Sequence, residues 1–266
     1  MRPSIITDYI LQPIKTLPFV TVGTCLTLLS SIVLTSTAPA VRAAYTPPEG
    51  DSPSGSTVAG GSRTGCDTSS DLPFTVLAPS YHVGQTTTTT PTLAWFVTAT
   101  APYRLRISVY DPSTIGAPLL LYSQETIEDQ GGLGHITLAS EDVTLVPGQQ
   151  YIWQVAIACD PTVTSYQVAI PSDIYIVEPS NAMVTELDTG LATASTPMER
   201  ADVYASSGYW FNALNEALVA LEGESNPSEP LATLLSDLGQ LEVSADENSL
   251  RGEHLLQLAE WFKTQE

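Results

Sequence analysis

"VTLVPGQQYIWQVAIACD", residues 143–160, decides the fold. Tyr151, Trp153, Val155, Ile157 and Cys159 fall on alternate positions, with Ile152 and Gln154 between the first of them. A period of two marks a strand with one buried face. Pro147 and Gly148, just ahead, are turn residues. The same alternation runs through "YRLRISVY" (103–110): Tyr103, Leu105, Ile107 and Val109 point inward, and Arg104, Arg106 and Ser108 outward. "TLAWFV" (92–97) places Leu93, Trp95 and Val97 on one face, and "LLLYSQ" (119–124), "HITL" (135–138) and "DIYIV" (173–177) are shorter runs. Short alternating strands separated by turn residues predict an antiparallel β-sandwich over residues 66–179. Clean alternation opposes a parallel sheet, whose strands are apolar on both faces.

Leu145, Pro147, Gly148 and Tyr151 form "L-x-P-G-x-x-Y", which resembles the tyrosine corner of fibronectin type III-like sandwiches. Pro91, Leu93 and Trp95 resemble the second strand of the same fold. The resemblance implies a fibronectin III/Ig-like sandwich, with the Tyr151 hydroxyl bonded to backbone at the corner and Trp95 and Trp153 in the core.

From Asn181 onward the apolar period becomes helical, so the fold class is α+β, with the sandwich followed by a small C-terminal helical domain over 180–266. "TPMERADVYASSG" carries a helix start: Thr196 as cap, Pro197 in the first turn and Glu199 completing a capping box. Gly208 ends that helix. Further helices are predicted over 209–221, 228–241 (Ser228 as cap) and 248–262. Ala201, Tyr204, Gly208, Tyr209, Ala213, Leu214 and Pro227 match a tetratricopeptide-like helical hairpin at roughly the spacing of that repeat. There is one copy, and one repeat does not bury its own apolar face, so the hairpin must pack on a neighbour.

Residues 1–43 read as an export signal. Lys15 precedes an apolar run from Leu17 to Leu34, and Val41 and Ala43 occupy the small-residue positions before a cut after Ala43. The competing reading is a retained anchor, since the run approaches the ~20 residues needed to span a bilayer. Residues 44–65, "AYTPPEGDSPSGSTVAGGSRTG", are rich in Gly, Pro, Ser and Thr and are expected to form a disordered tether. Cleavage would remove Cys25 and leave Cys66 and Cys159, and two cysteines in an exported chain are expected to pair. The whole chain of 266 residues has nine Lys and Arg against 29 Asp and Glu, a net charge of -20. Such a surface repels nucleic acid and anionic lipid. No nucleic-acid partner and no membrane insertion after cleavage are expected.

"GC" (65–66), "PTLAWFV" (91–97), "YIWQVAIACDP" (151–161), "VEPS" (177–180) and "TPMERADVYASSGYWFNAL" (196–214) together resemble a cyanobacterial family of exported proteins known only as a domain of unknown function. The resemblance implies export to the periplasm, outer envelope or beyond, and contact with an envelope protein, but no chemistry.

Catalytic patterns are sparse. His82, His135 and His254 lack a second ligand at metal spacing, and neither G-x-S-x-G nor a phosphate-cradling loop occurs. Glu125, Glu128 and Asp129 precede a glycine turn and raise calcium binding or a glycosidase carboxylate pair as options. Arg104 and Arg106 share an outward face and suit either anion docking or cross-strand pairing with acids. "TTTTT" (86–90) reads as a loop or edge strand. Tyr209, Trp210 and Phe211, at a helix-hairpin turn, read first as a packing seam against the core or the other domain, and as the candidate interaction surface if they are exposed. The resulting expectation is a non-enzymatic envelope module with no cofactor and no metal that contacts proteins. The alternatives are a carbohydrate- or peptide-binding module and a hydrolase with an unrecognised site.

Overall fold

In the computed structural model, the long strand opened by Tyr151 is the middle of a five-stranded sheet. The structure describes residues 44–48, 66, 72–99, 101–114, 116–139, 141–221, 223 and 228–264. The proposed signal (1–43) and most of the tether (49–65) lie outside them. Eight strands run in chain order: β1 Thr75–Val76, β2 Gly84–Thr86, β3 Thr92–Val97, β4 Tyr103–Asp111, β5 Leu119–Glu128, β6 Gly132–Thr137, β7 Gln150–Ala158 and β8 Val168–Ile176. Five helices follow: α1 Asn181–Leu191, α2 Pro197–Ser206, α3 Trp210–Ala220, α4 Glu229–Ala245 and α5 Leu250–Lys263. The fold is therefore α+β, with two sheets ordered β1-β3-β6 and β2-β8-β7-β4-β5.

The pairings are antiparallel except β2 with β8, which is parallel. On the inward face of β4 and β7 alternation matches burial, since Tyr103, Leu105, Ile107 and Val109, and Tyr151, Trp153, Val155 and Ile157, are all buried. On the other face Ser108, expected outward, is buried too, as are Ala156 and Ala158, so the alternation is partial. Tyr151 accepts a hydrogen bond from the Val146 N–H at 3.0 Å and donates to Gln149 Oε1 at 2.9 Å. This is the backbone bond expected at that corner. Cys66 and Cys159 form the disulfide.

Strand β3 departs from the alternating expectation, because all six of its residues are buried. One face meets the sandwich interior. Phe96, on the other face, meets Trp261 and Phe262 of α5 edge-on, with centroids 5.1 and 6.2 Å apart. The change from strands to helices falls between Ile176 and Asn181, near the expected boundary. Strands and helices nonetheless share one continuous core, so that boundary separates secondary structures within one compact unit. Among the described residues, no helix is long and apolar enough to cross a membrane.

Local signals place the helix ends. Thr196 accepts from the Glu199 N–H, and Glu199 reaches back to the Thr196 N–H, closing the capping box. Gly208 turns the chain between α2 and α3 at φ +84°, where a side chain would be strained. Ser228 adopts helical dihedrals and makes no side-chain cap bond, unlike the cap predicted there.

The start of the predicted tether is ordered. Tyr45 is 3% exposed and sits edge-on against Trp210. Its hydroxyl bonds His82 Nε2 at 2.8 Å. Composition hid this because one aromatic among Gly, Pro and Ser hardly alters an average. Burial holds the His82 imidazole down at about 4.

A buried ion pair ties the last two helices to the sandwich. Arg251 of α5 donates to the carbonyls of Val76 (2.9 Å) and Ala78. Glu242 of α4 accepts from the Ser80 N–H at 2.8 Å and lies 3.7 Å from Arg251 Nε. Two predictions follow from these contacts. Glu242→Gln keeps an acceptor for Ser80 but leaves Arg251 uncompensated, so urea unfolding should show a loss of about 3–5 kcal/mol; a loss below 1 kcal/mol would mean that the pair is not needed. His82 binds its proton more weakly folded than unfolded, so stability should fall by up to about 3 kcal/mol as pH drops from 6.5 to 4. His82→Gln should remove that component, read from melting curves across the window.

Candidate functional site

Helix α3 places its first two residues inside the molecule. Trp210 is 0% exposed and donates its indole N–H to the Leu77 carbonyl at 3.0 Å. Phe211 is 1% exposed and meets Trp153 of β7 edge-on at 6.2 Å. Its ring lies over Gly84 of β2, where an added Cβ would come within 2.7 Å. Tyr209 is 7% exposed. Tyr209, Trp210 and Phe211 are therefore the seam between helices and sandwich, and they do not form the interaction surface named from sequence. An aromatic triplet at a hairpin turn looks the same in sequence whether its partner is inside or outside the chain.

Above this seam, a groove of about 300 Å³ opens between the threonine run, β3, β6 and helices α2 and α3. It is lined by Thr88, Thr90, Thr92, Thr137, Asn212, Asn215, Glu216 and Tyr204, with Phe211 at its base. Asn212 locks the threonine loop: its Oδ1 accepts from Thr86 Oγ1 (3.0 Å) and the Thr87 N–H (2.9 Å), and its amide donates to Thr87 Oγ1 (3.0 Å). Thr92 Oγ1 contacts Thr137 Oγ1 at 2.8 Å and donates to Asn215 Oδ1 at 2.7 Å. Asn215 lines the groove beside this bond. Glu216 accepts from Arg200 Nε at 2.9 Å through one oxygen. Tyr204 is pushed up in pKa by burial first and then by the Glu216 charge, so its hydroxyl stays protonated as a donor. The groove thus offers amide and phenol donors, hydroxyls and a carboxylate acceptor beside an aromatic ring.

The other residues singled out from sequence do not converge. Glu125 and Glu128 lie on β5 itself, paired across to Arg106 and Tyr103 on opposite faces of the sheet. They form neither a calcium loop nor a carboxylate pair. Arg104 lies 3.7 Å from Glu125 and donates to the Val163 carbonyl. The Tyr166 ring stacks over both guanidiniums, 5.0 Å from Arg104 and 4.3 Å from Arg106, and its hydroxyl donates to Glu125. Cross-strand pairing therefore describes Arg104, while cation–π stacking holds Arg106. His82 is packed on Tyr45, and His135 and His254 lie on β6 and α5. Among the described residues, no group of three or more His, Cys, Asp or Glu is arranged to hold a metal ion. The groove was missed from sequence although its parts were visible. "TTTTT" signalled hydroxyls, but Asn215 and Tyr204 come from helices more than a hundred residues away.

The family model described as a Domain of Unknown Function (DUF928) matches residues 58–247, and the chain belongs to that family. No curated protein matches it. Among solved structures, WR4, a C. elegans MSP family member, is 9% identical over 36% of this chain and 92% of its own, with a TM-score of 0.25. Astrotactin-2, a vertebrate-specific, perforin-like membrane protein, is 11% identical over 73% of this chain and 36% of its own, with a TM-score of 0.25. The β-D-glucoside glucohydrolase of Trichoderma reesei is 9% identical over 31% of this chain and 13% of its own, with a TM-score of 0.17. At such TM-scores these likenesses carry no argument about this chain.

The burial of the seam has a measurable consequence. Phe211→Ala should cost about 3–5 kcal/mol in denaturant unfolding. A change below 1 kcal/mol would return Phe211 to the surface as a contact residue.

Proposed function

We propose that the protein is an exported, non-catalytic binding module whose groove takes a neutral polyhydroxylated ligand, a sugar or a related polyol. One observation carries this reading: amide, phenol, hydroxyl and carboxylate groups converge with an aromatic ring in a groove of about 300 Å³. That volume is at the lower end of ordinary ligand sites. Neighbouring hydroxyls of a polyol act as paired donors and acceptors, which Asn215 and Glu216 complement. The Tyr204 ring suits the apolar face of a pyranose. Glu216 is committed to Arg200 through one oxygen and serves as an acceptor, and among the described residues no second carboxylate lines the groove to pair with it for hydrolysis. The polyol reading therefore takes precedence over a protein-contact role, whose named surface is buried. The notion of a protein partner keeps one support, the edge strand β5, where Leu119, Leu120 and Ile127 are 52%, 52% and 59% exposed. Long apolar edges invite strand addition.

The finer architecture belongs to the same proposal. The Tyr151 corner bond supports a fibronectin-like sandwich, and the close α2–α3 pair supports a tetratricopeptide-like hairpin standing on that sandwich instead of on further repeats. The export reading rests on residues 1–43 and on the disulfide, which suits an oxidising compartment.

The test is a thermal-shift screen of glucose, maltose, cellobiose and inositol against the protein and its Asn215→Ala and Tyr204→Ala variants. A ligand at a hundred times its Kd stabilises by roughly 2.7 kcal/mol, which is readily seen as a raised melting temperature. The parent should shift and both variants should lose the shift while keeping their own melting transitions. No shift at 100-fold excess over millimolar affinity, or equal shifts in all three proteins, would overturn the groove as the site.

A further inference from the structure

The chain has a second built contact, at the point where residues 44–48 enter it. Tyr45 fills a slot made by Trp210, His82 and the α2–α4 pair. Its ring stacks on His82 with centroids 5.7 Å apart and meets Trp210 at 5.1 Å. The backbone is held as firmly as the ring. The Tyr45 N–H donates to Asp237 Oδ2 of α4 at 3.0 Å, and the Thr46 N–H donates to the Ala205 carbonyl of α2 at 3.1 Å. A segment of Gly- and Pro-rich composition would not order itself. Here it is ordered by a buried aromatic and two backbone bonds contributed by the helices.

The residue before Tyr45 is Ala44, the first residue after the cut expected from "TSTAPAVRA". Three covalent bonds separate the Ala44 nitrogen from the Tyr45 nitrogen, which places the two within about 4 Å. The Ala44 nitrogen therefore lies within about 7 Å of the Asp237 carboxylate by bond geometry alone. Before cleavage that nitrogen is a neutral amide, and after cleavage it is an ammonium. Asp202 of α2 lines the same small cavity between α2 and α4 as Asp237.

We propose that the α2–α4 corner is an acceptor site for the protein's own mature N-terminus, and that removal of residues 1–43 creates an ion pair between the Ala44 ammonium and Asp237. The inference rests on cleavage after Ala43 and is independent of the polyol groove. Its physical content is a strap whose docking strengthens on processing. The buried Tyr45 anchors it in either form, and the new charge adds to the anchor only when the cut falls next to it. A cut several residues earlier would leave the ammonium on a flexible stub, screened from Asp237 by water and salt.

Asp237 is the carboxylate held next to the ammonium by the Tyr45 N–H, Asp202 lines the same small cavity as Asp237, and His82 lies against the Tyr45 ring and its hydroxyl. Burial keeps His82 neutral above about 4 and keeps the Tyr45 hydroxyl protonated well above its ordinary range. Neither titrates between pH 7 and 10. Pairing raises the folded-state pKa of the amine above its unfolded value of about 7.7–8. The added stability is then full below that value and is lost as pH rises through the higher folded-state pKa.

The experiment uses the full 266-residue chain, exported and recovered from the host, with its first residue determined by N-terminal sequencing. Two variants are prepared in the same way. Asp237→Asn keeps an acceptor for the Tyr45 N–H and removes the charge. A Gly-Ser insertion between Ala43 and Ala44 moves the ammonium away. Melting temperatures are then measured from pH 7 to 10. The parent should begin at Ala44 and lose about 2–4 °C more than either variant across that range. Parallel curves for all three would overturn the ion pair. A first residue other than Ala44 in the parent would overturn the processing site and the proposal with it.

Discussion

The insertion of Trp210 and Phe211 between the sheets is the contact on which the rest of the structure depends. A single helical hairpin exposes an apolar stripe that it cannot bury alone. A three-stranded sheet has the same problem on its outer face. Each supplies what the other lacks: α3 closes against β2 and β3, and α5 covers Phe96. The Trp210 indole N–H, which would be costly to bury without a partner, donates to the Leu77 carbonyl just past β1. Small residues make room at the closest point, where Gly84 accepts the Phe211 ring.

Both candidate sites are by-products of that seam. The polar groove exists because α3 turns Asn212, Asn215 and Glu216 toward the threonine run as its aromatic start turns inward. Asn212, Asn215 and Glu216 are three and four apart and so share one face of the helix, and Phe211, four before Asn215, borders that face at the base of the groove. The N-terminal strap docks on the same anchor, with Tyr45 and Trp210 in an edge-to-face contact. The buried Arg251–Glu242 pair adds a second tie, to the Val76 and Ala78 carbonyls at the end of β1. Sheet, helices and strap are thus joined by polar contacts placed within apolar ones, which restricts how the layers can slide.

Much of the secondary structure was legible because its signals are local. β4 and β7 show two-residue alternation, α2 has its capping box, and α3, α4 and α5 show helical stripes. What was missed had no such signal. β1 and β2 are two and three residues long, too short for a period to show. β2 also pairs in parallel with β8, against the antiparallel expectation. Helix α1 buries none of its residues, so its stripe is weak, although its N-cap Ser180 does accept from the Met183 N–H. The acidic stretch at 125–129 precedes a glycine turn and its polar composition carries no strand signal. It is largely strand because β5 runs on the exposed edge of its sheet.

By itself, the sequence determined the long alternating strands, the helices α2 to α5, the α+β class and the cysteine pair, since each follows from spacing within a few residues or from a count. Only the tertiary structure decided that Tyr209–Phe211 face inward, that Tyr45 is an anchor, and that threonines, asparagine and tyrosine line one groove. Those outcomes rest on partners far apart in the chain: 133 residues from Trp210 to Leu77, 192 from Tyr45 to Asp237 and 123 from Thr92 to Asn215. Periodicity says which face of an element is apolar. It does not say which other face, of the many compatible ones, will cover it, because that choice is made by packing the whole chain at once.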